Sequence, residues 1–88
     1  MNTLKSVFWD YPEFTDEAHL RTTIEESRSS SDLRLYLWIM RRFLEYGRVV
    51  DTLQFFSVDE ISEHLDKIRL RKYTAKKWRR MVEVYSEA

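Results

Sequence analysis

Eight of the fourteen residues from Lys67 to Arg80 are Lys or Arg, in an 88-residue chain whose formal net charge is zero. The chemistry those side chains offer is the capture of an anion, by charge-assisted hydrogen bonds to carboxylate or phosphate oxygens. Residues 1–32 hold three bases and seven acids, residues 33–66 four and six, and residues 67–88 eight and two. The chain is a dipole in sequence, negative at its start and positive at its end. The candidate contacts for a partner or for nucleic acid are Lys72, Lys76, Lys77, Arg79 and Arg80, on or beside a last helix expected over residues 75–86. With Thr74 as its cap, Lys76 and Lys77 occupy the first turn, where the helix macrodipole is positive. Each placement there costs about 0.3–1 kcal/mol unless an anion lies near. A phosphate is one such anion, since free N–H groups at helix starts bind it. The chain's own Asp10, Glu13, Asp16, Glu17, Glu25 and Glu26, folded onto the segment, are another, and screening by water is a third.

Other chemistry is sparse. With no cysteine, disulfides and thiolate zinc sites are excluded. Glu60 and His64 stand four apart and could offer two metal ligands on one helix face, but a zinc site needs a third. A solvated Glu–His pair is the simpler expectation, so no metal and no cofactor are assigned. The carboxylates show no pairing that marks a general acid and base, and there is no Gly-rich phosphate loop and no nucleophile elbow. No catalytic residue is assigned, and the expectation is a protein that is not an enzyme. Phe8, Trp9 and Tyr11 form a candidate aromatic anchor, because Trp and Tyr concentrate at interface hot spots. The same rings, with Phe14, could instead plug the core of a small domain.

The elements that must position these residues are helices. One Gly and one Pro leave little for the tight turns of hairpin-rich sheets. A hydrophobic fraction of 43% with 15% aromatics suits a packed globule rather than a disordered chain. Eighty-eight residues make one domain with one modest core. Residues 1–14 read as an extended aromatic arm folded back over the helices, with Pro12 opposing helix formation. Residues 15–88 read as the helical core. Thr15 is expected to cap a first helix to about Ser27, with Leu20 and Ile24 inward. Ser31 or Asp32 caps a strongly apolar helix to Tyr46, with Leu33, Leu37, Met40 and Leu44 along its stripe. Gly47 is its expected left-handed stop, and Arg41 and Arg42 face its negative end. A helix with Val49, Leu53 and Phe56 inward follows.

Ser57 and Glu60 match a capping box for a helix over residues 58–68, with Val58, Ile61, Leu65 and Ile68 inward. The last helix turns Trp78, Met81, Val82 and Tyr85 inward. The fold class is therefore an all-α single-domain bundle of four to five helices. Its last two long helices resemble a helix-turn-helix, although the connector over residues 69–74 exceeds the usual three or four residues. That helix also has no Asn or Gln for bidentate reading of adenine.

Phe8-Trp9-Asp10, the run Arg42-Phe43-Leu44-Glu45-Tyr46-Gly47, and Leu70 with Thr74 and Trp78 resemble a family of short bacterial proteins. Its members begin with a Phe/Leu-Trp-Asp motif and continue through an Arg-x-Leu-Glu-x-Gly helix end. Many look like partners encoded beside nucleotidyltransferase toxins of the AbiEii type. The pattern departs after Gly47, where Arg48-Val49-Val50-Asp51-Thr52 replaces an acidic residue and Trp, and the serine-rich loop is long. The resemblance implies an antitoxin-like protein and carries no catalytic residue.

Two functions are expected on these grounds. One is a protein-interaction module whose partner is another protein, such as a nucleotidyltransferase toxin. The other is a helix-turn-helix regulator of DNA. No apolar run approaches the roughly 20 residues that span a bilayer, and no signal pattern opens the chain, so the expected compartment is the cytoplasm and no membrane partner is assigned. The apolar girth of the central helix also suggests a homodimer.

Overall fold

A computed structural model describes residues 4–86. In chain order it contains α1 (Leu4–Val7), a 3-10 turn (Pro12–Thr15), α2 (Glu17–Arg28), α3 (Arg34–Tyr46), α4 (Val49–Phe55) and α5 (Val58–His64). A second 3-10 turn (Leu65–Lys67) and α6 (Lys72–Ser86) complete it. Among the described residues there is no strand, and the all-α expectation holds.

α3 is central. Tyr36, Ile39, Met40, Phe43 and Leu44 on it are buried, and α1, α2, α4 and α6 all pack against it. Burying each such side chain stabilises the fold by about 1.5–3 kcal/mol relative to exposure. Leu20 and Ile24 of α2 and Phe56 after α4 point inward as their spacing requires, and Val49 and Leu53 are partly buried. The helices of the chain itself cover most of the apolar girth of α3, leaving Leu35 and Tyr46 exposed.

Residues 4–14 are not an extended arm, and the first three residues of that expectation lie outside the described residues. Leu4–Val7 forms one helical turn, closed by the Phe8 N–H on the Leu4 carbonyl at 2.8 Å. Pro12 opens the 3-10 turn, where its missing N–H costs nothing because that donor would be free in any case. The segment does fold back over the helices. Phe8 is fully buried, with its ring 5.7 Å from Phe43, 5.3 Å from Phe14 and 6.0 Å from Trp38.

Several helix ends differ from expectation. Asp16, not Thr15, caps α2: its carboxylate accepts from the Ala18 and His19 N–H groups. Asp32 accepts from the Arg34 N–H at the start of α3, although the cap position itself is Leu33. Gly47 is not left-handed; its φ is −91° and ψ 163°, ordinary extended backbone. Space explains the glycine instead. A Cβ there would stand 2.8 Å from the Phe43 carbonyl oxygen and 3.3 Å from both the Phe43 ring and the Thr52 hydroxyl. The Ser57–Glu60 capping box is present as read, with both bonds at 3.1 Å.

Candidate functional site

α6 begins at Lys72, earlier than residue 75, and Thr74 lies inside it rather than capping it. The role assigned to Thr74 passes to a residue on another helix. The Arg71 carbonyl accepts the first helical bond, from the Ala75 N–H, and the Arg71 N–H donates to Glu45 Oε1 at 2.8 Å. The Thr74 hydroxyl donates to Glu45 Oε2 at 3.4 Å, where Arg71 Nε also lies at 3.4 Å. A buried carboxylate from the end of α3 thus meets the positive start of α6, the arrangement a macrodipole favours. This is the anion that the basic segment called for. It is not one of the six acidic residues from the first 26 positions, none of which pairs with α6 among the described residues.

Trp78 faces inward and is fully buried. Its indole N–H donates to the Leu44 carbonyl at 3.0 Å, satisfying one of the acceptors left open where α3 ends. With Trp78 anchored inside, α6 turns a stripe outward. Lys72, Lys76, Arg79 and Arg80 are exposed and, with Ala75 and Glu83, line a broad surface depression of about 460 Å³. Among the described residues, Lys72, Lys76 and Arg80 have no ion pair, and Arg79 has only Asp66 at 3.9 Å, both partners well exposed. Lys77 belongs less to this stripe: it is half-buried, its ammonium 5.6 Å from the Trp78 ring. Because α6 starts early, Lys76 and Lys77 leave the first turn, and the dipole penalty falls on Lys72 alone. Met81 and Val82 are partly buried, while Tyr85, expected inside, is exposed.

The helix pair before and including α6 is not two long helices. α5 has seven residues, its last turn tightening to 3-10 geometry at Leu65–Lys67. The connector shortens correspondingly to residues 68–71.

The aromatic anchor divides. Phe8 is core and unavailable to a partner, whereas Trp9 and Tyr11 are partly exposed. What those two rings hold is Arg42. Its Nε and Nη2 donate to the Val7 carbonyl at 3.0 and 2.7 Å, and Nη2 also donates to Asp10 at 2.6 Å. Its guanidinium lies 4.5 Å from the Trp9 centroid, 5.6 Å from Tyr11, 5.5 Å from Trp38 and 5.2 Å from Tyr46. Only 13% of this side chain is exposed. Arg42 therefore clamps the first segment to α3 and does not serve the negative helix end. Asp10, one of the six carboxylates that could have folded onto the basic segment, pairs with Arg42 of α3 instead.

A second cluster joins Glu60 and His64 to Tyr36 and Arg28, two partners the sequence reading did not connect to them. The Tyr36 hydroxyl donates to Glu60 Oε2 at 2.6 Å, and Arg28 Nη2 meets the same oxygen at 3.0 Å. The Tyr36 ring packs edge-on against buried His64, their centroids 5.3 Å apart. Burial and the Glu60 contact both raise the Tyr36 pKa. Partial burial acts to raise that of Glu60, but Tyr36, the Ser57 N–H and Arg28 together hold it below the usual carboxylate value. Burial acts to lower that of Arg28, and Glu60, Tyr36 and Glu25 more than offset it. Glu60 and His64 are thus not a solvated pair, and both oxygens of Glu60 are engaged. Among the described residues no group of three His, Cys, Asp or Glu side chains could hold a metal ion, and no helix is long and apolar enough to cross a membrane.

No protein-family model, curated protein or solved structure matches the chain.

Proposed function

We propose that this protein is a non-enzymatic docking module that grips an acidic surface of another protein with the outward stripe of α6. The observation that carries the reading is the segregation of Lys72, Lys76, Arg79 and Arg80 onto one exposed helix face beside Glu83, with one ion pair among the described residues, Arg79 to Asp66 at 3.9 Å. Charges so placed steer encounter and select partners of opposite sign. Buried Trp78 and the Glu45 contact anchor the helix beneath them, so its backbone gives up little freedom on docking. In the role implied by the short bacterial family, the partner is a nucleotidyltransferase toxin in the cytoplasm and this chain is its antitoxin-like companion.

Affinity purification from the native host tests the reading. The wild-type chain is expected to retain a stoichiometric protein, and the K76E/R80E variant to lose it. Equal recovery by both overturns the proposal.

The four-residue connector before α6 favours a second reading, binding of duplex DNA with α6 toward the major groove. A titration with random duplex at about 50 and about 200 mM salt decides it. Phosphate contacts produce a steep fall in affinity between the two. No binding at the lower salt removes this reading.

A further inference from the structure

A cavity of about 140 Å³ lies between the second half of α3 and the residue before α6, lined by Trp38, Arg41, Arg42, Glu45, Tyr46 and Arg71. Three guanidiniums and one carboxylate line it, and with Asp10, 2.6 Å from Arg42 Nη2, the surroundings still carry a net positive charge. The carboxylate is also engaged: Glu45 receives the Arg71 N–H, the Thr74 hydroxyl and Arg71 Nε, and its side chain is only 5% exposed.

The arginines are prepared to different degrees. Arg42 is held at Nε and Nη2 by the Val7 carbonyl and Asp10, and its guanidinium is flanked by the Trp9 and Tyr46 rings. That leaves Nη1 as a donor with no acceptor among the described residues, already oriented. Arg71 spends its Nε on Glu45 and lies 5.8 Å from the Tyr46 centroid, on a ring that Arg42 also contacts. Arg41 is exposed and has no ion pair among the described residues. Guanidinium donors match the oxygens of a phosphate, and an arginine whose orientation is already set loses little freedom when it binds. The volume admits a tetrahedral oxyanion, and the cavity opens to solvent, so an organic group esterified to that anion can extend outward. Trp38 and Tyr46 leave aromatic wall beside the anion position.

We propose that this cavity binds a phosphate group, seated between Arg41, Arg42 Nη1 and Arg71, supplied either as free phosphate or as a phosphate monoester. The site is separate from the α6 stripe and does not depend on the docking function. Titration with inorganic phosphate and with phenyl phosphate at constant ionic strength, followed by the indole N–H resonance of Trp38, tests it. Saturable shifts are expected with both probes. Similar affinities point to free phosphate, and tighter binding of phenyl phosphate points to an ester whose organic part lies on the Trp38 and Tyr46 rings. Arg41→Gln, at an exposed position, is expected to weaken binding about tenfold, the effect of one lost charged hydrogen bond. The K76Q/R80Q variant is expected to bind as the wild type does. The proposal is overturned by shifts that do not saturate, by an R41Q variant that binds equally well, or by a K76Q/R80Q variant weakened as much as R41Q.

Discussion

Arg42 and Lys76 are both cations on long helices, and the fold uses them in opposite ways. Arg42 is drawn under a roof of aromatic rings and bonded to a backbone carbonyl 35 residues earlier. Lys76 stands in solvent with no ion pair among the described residues. A buried charge is tolerated only where it is paired and hydrogen-bonded, and its removal strands the groups that paired with it. An exposed charge contributes little to stability and is free to serve a partner. The difference separates a cation the fold holds in place, with one donor left over, from a cation the fold leaves in solvent.

The sharpest way to break that contrast is Arg42→Met. It leaves the Val7 carbonyl and Asp10 without their donor and should destabilise the protein by about 3 kcal/mol, read from urea unfolding. A loss below about 1 kcal/mol would make Arg42 as dispensable as a surface charge. Gly47→Ala should cost about 2 kcal/mol, because the added methyl meets a helix carbonyl that cannot yield cheaply. A near-neutral result would show that the end of α3 relaxes, so that the seat of Arg42 is softer than its contacts imply.

Tyr36→Phe extends the contrast to the second interior cluster. It removes a hydrogen bond to a carboxylate and should cost about 1.5 kcal/mol, the lower range for charged partners. The same carboxylate predicts a pH dependence. The folded pKa of Glu60 lies below its unfolded value of about 4.3, so the unfolded chain binds more protons between the two. Its contribution is complete above the unfolded value and is lost as pH falls through the folded one. Urea midpoints between about pH 5 and about pH 3 should therefore fall less steeply in Glu60→Gln than in the wild type. Equal slopes would remove Glu60 from the acid response. The smallest effect is expected at the surface, where K76Q/R80Q should leave stability within about 0.5 kcal/mol. A larger loss would mean that the α6 stripe is structural after all.

What the sequence revealed is what depends on near neighbours. The Ser57–Glu60 capping box and the inward turn of Trp78 follow from spacings of three or four residues and are where those spacings placed them. The stripe of α3 was legible in part: Met40 and Leu44 are buried, but Leu33 and Leu37 only partly, and Tyr36, Ile39 and Phe43 complete the buried face. What it concealed joins distant positions. Glu45 reaches residues 26 and 29 positions onward, and its carboxylate lets α6 begin before Thr74. Tyr36 and Glu60 are 24 apart, and no periodicity links them. Gly47 was placed correctly as a helix end but for the wrong reason, because crowding by Phe43 and Thr52 is invisible until the chain has folded. Of the proposed surface, the outward turn of Lys76, Arg79 and Arg80 was legible, since it is the complement of the Trp78 face, while Lys72, expected in the connector, joins that face only because α6 starts early. The withdrawal of Phe8 into the core and the half-burial of Lys77 were not.

The bond from Arg42 to the Val7 carbonyl also sets an order of events in time. On a ribosome adding about 5–20 residues per second, the first turn emerges roughly 2–7 seconds before the arginine that will hold it. Through that interval Phe8, Trp9 and Tyr11 must wait in water, so nascent chains halted just short of the middle helix should be the ones that chaperones recognise.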